Sequence, residues 1–139
     1  MEDNVETQAV ATAATGTPTI KSEDKILSIV CHLAYFAVVG SVLVPLIVWL
    51  LKKDESPWLA ANAKQAFVYQ GVVTLAGIVL SVLMPMLAFL TFGLGPLLLI
   101  PVMLIVAVAL MVPTVLASIA NWNGEVYTYP AVGQLADKF

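Results

Sequence analysis

Residues 65–124 read QAFVYQGVVTLAGIVLSVLMPMLAFLTFGLGPLLLIPVMLIVAVALMVPTVLASIANWNG, and none of these side chains is charged. A helix needs about 20 apolar residues to cross the roughly 30 Å of bilayer hydrocarbon, so this run is long enough for two spans. Gly93, Gly95 and Pro96 lie in its middle, where glycine accepts positive φ and proline cannot continue a hydrogen-bonded helix. The stretch therefore predicts two membrane helices, at about 58–90 and 97–121, joined by a turn at residues 91–96.

A second uncharged run, from Ile26 to Leu51, has the length of one further span. Hydrophobic residues make up 60% of the 139 residues and charged residues only 11%, whereas a soluble domain is about half apolar and a quarter charged. The chain is therefore predicted to be an all-α polytopic membrane protein with three transmembrane helices, at about 26–51, 58–90 and 97–121.

The N-terminal residues 1–24 are rich in alanine, threonine and acidic side chains, and they show no apolar period. Such a composition cannot bury enough apolar surface to fold, so we expect a disordered tail. Residues 25–139 are predicted to form a single membrane domain with a short C-terminal tail.

Aromatic and basic residues indicate how the three spans are oriented. Tryptophan and tyrosine favour the headgroup level, and lysine is enriched in cytoplasmic loops. One membrane face is predicted to carry Trp49, Trp58, Trp122, Tyr127, Tyr129, Lys52, Lys53, Lys64 and Lys138, and the other face Lys21 and Lys25. The predicted interfacial anchors are Trp49, Lys52, Lys53, Trp122, Tyr127 and Tyr129. We therefore expect the first loop and the C-terminus to lie in the cytoplasm.

Polar side chains mark the start of the second span. Ser56 can cap the first free amides, and Pro57 suits the first helical position, where its missing N–H costs nothing. At about 100° per residue, one helix face then carries Trp58, Asn62, Gln65 and Tyr69, with Gln70 a quarter-turn away. Amides in hydrocarbon need protein, water or headgroup partners, so these residues and His32 are the candidate polar interaction residues.

Three interpretations of this stripe remain open. Side-chain amides that hydrogen-bond neighbouring helices would explain it without any substrate. A surface for a partner, or a polar passage, would explain it as well. His32 lies in the first run without an acidic partner in any span. Along an unbroken helix it would lie about 9 Å deeper than Gln70, so no contact between the two is expected.

Several kinds of chemistry are not expected here. The basic residues are all lysine and the net charge is −3, which argues against nucleic-acid binding. The only cysteine, Cys31, lies in an apolar run and is predicted to be a small buried residue. The sequence has no phosphate-binding glycine loop, no metal-spaced Cys or His pair and no nucleophile with a base. We therefore predict no catalytic or metal site and no cofactor.

Several short motifs carry a resemblance to a known family. The segments are PLIVWLLKKD at 45–54, SPW at 56–58, AKQA at 63–66, NGEVYTYP at 123–130, and His32. Over roughly residues 24–135 the chain resembles bacterial Tic-twenty-like small membrane proteins with a domain of unknown function. This resemblance implies a protein of the bacterial inner membrane and a link to protein translocation, as in the chloroplast import machinery. The chain departs from that pattern at Asn62, where histidine is usual, and at Val68, where asparagine is frequent.

The sequence favours a non-enzymatic membrane protein that assembles with itself or with other membrane proteins in the lipid bilayer, as an accessory component of protein assembly or transport. The alternative is a channel or transporter subunit for small solutes or ions, suggested by the amides, His32 and the prolines inside the spans.

Overall fold

The computed structural model describes residues 19–37 and 40–138. Its helices in chain order are α1 (Ser22–Leu33), α2 (Leu43–Lys52), α3 (Pro57–Leu90), α4 (Leu94–Trp122) and the single-turn α5 (Gly133–Ala136), with a 3-10 turn at Ala34–Phe36 after α1. Most of the predicted disordered tail, residues 1–18, lies outside the described residues. The predicted tail ends at residue 24, but α1 begins at Ser22, so the last three residues of that tail are helical.

Two helices, α3 and α4, are long and apolar enough to cross a membrane. Their bounds agree with the predicted spans at 58–90 and 97–121 to within three residues. The predicted start of α3 is confirmed, because Ser56 Oγ accepts the backbone N–H of Leu59 at 3.4 Å and Pro57 is the first helical residue. The most apolar 18-residue windows of α3 and α4 have 0% and 6% of their residues buried, so these parts of the two helices do not lie inside a globular core.

The turn between these helices is confirmed at residues 91–93. Phe92 and Gly93 both have left-handed φ angles, of 52° and 86°. The Thr91 hydroxyl donates to the carbonyl of Leu87 at 2.6 Å and accepts the N–H of Gly95 at 2.9 Å. A Cβ at Gly95 would lie 2.8 Å from both Leu87 Cγ and Thr91 Oγ1, so the turn requires glycine there.

The predicted third span, at 26–51, is not confirmed. This run forms two short helices, α1 with 12 residues and α2 with 10. They are about 18 and 15 Å long, roughly half of the hydrocarbon thickness. Gly40 lies in the turn before α2, and Pro45 lies in the first turn of α2, where a missing N–H is tolerated.

The chain reverses direction between α1 and α2. Lys25 Nζ donates to the carbonyl of Trp122 at 3.2 Å. Glu55 raises the pKa of Lys52, and the carboxylates of Asp24 and Glu23 raise it further. The start of α1 therefore lies at the same end of the molecule as the end of α2 and the end of α4. The prediction that Lys21 and Lys25 lie across the membrane from the other lysines is wrong, because it assumed one unbroken helix.

Two regions follow from this arrangement. Residues 71–113, which we call the hairpin, contain no buried residue. Residues 19–37, 40–70 and 114–138, which we call the base, contain every buried residue of the described chain. All six lysines of the sequence also belong to the base.

Candidate functional site

The polar stripe predicted on α3 lies inside the base. Asn62, Gln65, Tyr69 and Gln70 are each at most 5% exposed. Trp58, at the beginning of the stripe, is partly buried, and its indole N–H donates to the carbonyl of Gly124 at 2.9 Å. The amides predicted to need partners in hydrocarbon thus face the protein's own chain rather than its surface.

The C-terminal residues 125–138, which we call the strap, lie along this stripe. Asn62 Oδ1 accepts the backbone N–H of Tyr127 at 3.2 Å. Gln65 holds the strap at two points, since Oε1 accepts the N–H of Tyr129 at 3.4 Å and Nε2 donates to the carbonyl of Gly133 at 3.1 Å. Residues 125–129 have no regular secondary structure, so side-chain amides satisfy backbone groups that a helix or sheet would otherwise pair.

Tyr129 is the centre of the strap's contact with the base. Its ring is 1% exposed and stacks on Tyr69 with centroids 4.0 Å apart and planes 12° from parallel. Tyr127 meets the same ring edge-on at 5.1 Å, and the Tyr69 hydroxyl donates to the carbonyl of Leu110 at 2.6 Å. Burial raises the pKa of Tyr129 above its ordinary value, with smaller contributions from the neighbouring Thr114 hydroxyl, which lowers it, and from Tyr69 and Tyr127.

His32 completes the cluster from the side of α1. Its Nδ1 lies 2.8 Å from the Tyr129 hydroxyl, a buried hydrogen bond between residues 97 positions apart. Gln70 Nε2 donates to the carbonyls of Cys31 and His32, at 2.8 and 3.3 Å. The expected separation of Gln70 from His32 is therefore wrong, because α1 and α3 enter the base from the same end.

Three polar residues of the cluster were missed by the sequence interpretation: Ser28, Thr114 and Asn121. Each is fully buried, and Asn121 Nδ2 donates to the Ser28 hydroxyl at 2.6 Å, which joins α4 to α1. A signal was present, because Thr114 and Asn121 are two helical turns apart on one face of an otherwise apolar helix. Ser28 and His32 share a face of α1 in the same way.

Four buried polar atoms have no hydrogen-bond partner among the described residues. They are His32 Nε2, Gln70 Oε1, Thr114 Oγ1 and Asn121 Oδ1. An unpaired buried polar atom costs about 1–3 kcal/mol, so such groups need an explanation. Three of these atoms belong to residues of the cluster around Tyr129. Tyr129 bonds to the other ring nitrogen of His32 and has the Thr114 hydroxyl beside it, and Gln70 contacts the backbone of His32.

The predicted interfacial anchors differ in their surroundings. Trp122 is 66% exposed, and Trp49 is partly buried and stacks on Phe67. Lys52 forms an exposed ion pair with Glu55, which lowers the pKa of that carboxyl, and Lys53 is exposed. Tyr127 is partly buried in the strap, and Tyr129 is buried and so does not face a headgroup layer.

Metal-binding side chains do not cluster in residues 19–37 and 40–138. No three His, Cys, Asp or Glu side chains there lie close enough together to hold a metal ion. The cluster around Tyr129 is made of neutral groups: one imidazole, phenols, hydroxyls and amides. Its geometry supports hydrogen bonding and aromatic packing, and it offers neither a carboxylate nor an ammonium for acid–base work.

Comparison with known proteins identifies a family. A family model described as the magnetosome magnetite crystal formation protein family matches residues 23–136. No curated protein and no solved structure matches the chain. The resemblance to Tic-twenty-like proteins is therefore wrong, and the expected link to protein translocation, which depended on it, has no support. The motifs used for it describe the loop and strap of a small membrane protein, and such features do not identify an activity.

Proposed function

This chain belongs to the magnetosome magnetite crystal formation protein family, and we propose that it acts there as a non-enzymatic membrane component that assembles with further copies of itself or with other membrane proteins. The proposal rests on the exposed apolar surface of the hairpin. Its large apolar side chains face outward, as with Leu75 at 64%, Val82 at 60% and Leu104 at 63% exposed. An apolar surface of this extent suits lipid or the apolar surface of another membrane protein.

Lysine placement supports an orientation for this assembly. All six lysines belong to the base, and the hairpin carries no charge. Because cytoplasmic segments are enriched in lysine, the base is proposed to face the cytoplasm and the turn at residues 91–93 the opposite side. A cysteine at Asp54 should react with an impermeant maleimide added from the cytoplasmic side, and one at Phe92 should not. Reaction at Phe92 alone would reverse the orientation.

The effect on the crystal is proposed to be indirect. The turn sequence Thr91-Phe92-Gly93-Leu94-Gly95-Pro96 has no carboxylate, imidazole, thiol or phenol, which are common iron ligands in proteins. The turn therefore offers none of these ligands to an iron oxide surface, and the influence of the protein would pass through the membrane and the proteins around it.

Crosslinking in native membranes tests the assembly. A photoreactive residue at Leu75, on the exposed face of the hairpin, should capture a membrane protein or a second copy. The matched control is Ala63, which is 0% exposed and should capture nothing outside its own chain. If probes at Leu75, Val82 and Leu104 all capture only lipid, the assembly proposal fails.

The indirect effect has a separate test in a magnetosome-forming cell. Deletion of the protein should change crystal size or shape in electron micrographs, and a chain carrying Phe92→Asn should restore it. Phe92 is 97% exposed, and asparagine tolerates its left-handed backbone. If Phe92→Asn, present at the normal level, changes crystals as much as the deletion does, the turn acts on the crystal directly.

A solute or ion pathway is the alternative function. The unpartnered polar atoms of the base favour it, but residues 71–113 bury no polar side chain that would continue a path within one copy. A pathway would therefore have to form between copies. Flux through protein in liposomes that is unchanged by His32→Ala and Gln65→Leu would exclude the cluster as its lining.

A further inference from the structure

Beyond its first residue, Glu125, the strap is held to the rest of the base by side chains alone. Among the described residues, the backbone–backbone hydrogen bonds of residues 125–138 stay within the strap or reach the last turn of α4, as from Glu125 N–H to the carbonyl of Ala120 at 2.9 Å. None joins the strap to α1 or α3. Release of residues 126–138 would therefore break the Asn62 and Gln65 contacts and withdraw Tyr129, and it would leave the bond from Glu125 to α4 and the hydrogen bonds within the helices in place.

A hinge lies where the strap begins. Gly124 has a left-handed φ of 87°, which glycine adopts without steric cost at the end of a helix. Its N–H donates to the carbonyl of Asn121 at 3.0 Å, its carbonyl accepts the indole N–H of Trp58 at 2.9 Å, and the N–H of Glu125 donates to the carbonyl of Ala120 at 2.9 Å. Rotation just after Glu125 would therefore move the rest of the strap while α4 and these bonds stay in place.

The groups beneath Tyr129 would gain partners if water entered. His32 Nε2, Gln70 Oε1 and Thr114 Oγ1 are buried without hydrogen bonds in the closed arrangement. Opening exchanges the strap's bonds for bonds from water to these atoms and to the freed stripe amides. These new bonds to water offset part of the free energy that is lost when the strap's own hydrogen bonds break. The strap should therefore open more easily than the helices separate.

We propose that the strap is releasable from residue 126 onward and that its opening admits water from the base side to a polar recess lined by His32, Gln70 and Thr114. In the open arrangement the Asn62 and Gln65 amides, which bind an extended backbone when the strap is closed, face solution. None of the hydrogen bonds that hold the strap involves a hairpin residue, so the inference does not depend on what the outer surface of the hairpin binds.

Thiol reactivity in the full-length protein tests the opening. A cysteine at Thr114 reports on the recess, and the native Cys31 of α1, packed against Ala63 and Ala66 of α3, reports on the rest of the base in the same molecule. A charged, impermeant thiol reagent is applied in nanodiscs, and modification of each cysteine is followed by mass spectrometry. Adding Gln65→Leu, which removes two hydrogen bonds to the strap, should speed modification at position 114 about tenfold or more and leave Cys31 unchanged.

Two outcomes would overturn the proposal. Position 114 could remain as slow with Gln65→Leu as without it, or both cysteines could speed up equally, which indicates general loosening. Hydrogen exchange on the unmodified chain gives a second measurement in case Thr114→Cys does not fold. The amides of Tyr127 and Tyr129 should exchange together and faster than those of residues 61–70 in α3; equal protection of the two segments would contradict a releasable strap.

Discussion

The base and the hairpin are both built mainly from apolar residues, yet the base buries polar side chains and the hairpin buries none. In the base, Asn62, Gln65, Gln70 and Asn121 are buried and bonded to backbone or side chains from distant parts of the chain. In the hairpin no residue is buried, and apolar side chains face outward along its whole length. The hairpin is a helical pair suited to lipid, whereas directional hydrogen bonds specify one arrangement of the base.

This difference predicts opposite responses to the same substitution. Leu59 in the base is fully buried, and Leu59→Ala should lower the free energy of unfolding by about 2–5 kcal/mol because it leaves a cavity. Leu75→Ala in the hairpin should change it by less than about 0.5 kcal/mol, since Leu75 is 64% exposed and packs little against the chain. Denaturation in mild detergent measures both. Equal losses would show that the two regions do not differ in packing.

A charged side chain in the hairpin should impair membrane insertion. Val82→Asp places a carboxylate near the middle of the outward-facing part of α3, where a charge costs about 2.5–3.5 kcal/mol in membrane insertion. Insertion measured by glycosylation or protease protection should fall, and Val82→Leu should not affect it. Full insertion of the Val82→Asp chain would indicate that this part of α3 is not in the hydrocarbon.

The hydrogen bond between Tyr129 and His32 should matter more than the hydroxyl of the neighbouring tyrosine. Tyr129→Phe keeps the stacking on Tyr69 but leaves His32 Nδ1 unpaired, which should cost about 1–3 kcal/mol of unfolding free energy. Tyr127→Phe is the control, because Tyr127 contributes its backbone N–H and the edge of its ring. A similar loss in both variants would mean that the ring contacts, and not the hydroxyl, hold the strap.

The smallest expected effect is that alkaline pH destabilises the closed strap. Burial raises the pKa of Tyr129 in the folded chain, so the folded state favours the neutral phenol. Its stabilising effect is complete below the ordinary tyrosine pKa of about 10 and is lost as pH rises from there through the folded-state value. Ultraviolet absorbance should show tyrosines that ionise later than in the denatured chain, and Tyr129→Phe should remove one of these delayed phenolates. Absence of a delayed tyrosine in the native titration, with no change after Tyr129→Phe, would contradict the buried phenol.

Much of this architecture follows from local sequence. The uncharged run from 65 to 124 determines that α3 and α4 are long apolar helices, Gly93 and Gly95 determine where they turn, and Ser56 with Pro57 determines where α3 begins. Each depends on residues within a few positions of one another. The family could not be deduced this way, because motifs such as AKQA at 63–66 describe packing and a loop rather than an activity.

Only the tertiary structure decided how the base is assembled. An apolar run from Ile26 to Leu51 is compatible with one long helix or two short ones, and packing of α1 against α3 and α4 selects the second. That reversal puts His32 beside Tyr129, 97 residues away, and brings Lys25 to Trp122. Sequence alone determined that the polar groups of α3 need partners. Which atoms supply them is a property of long-range contacts, because hydrogen bonds between distant segments leave no periodic signal in the sequence.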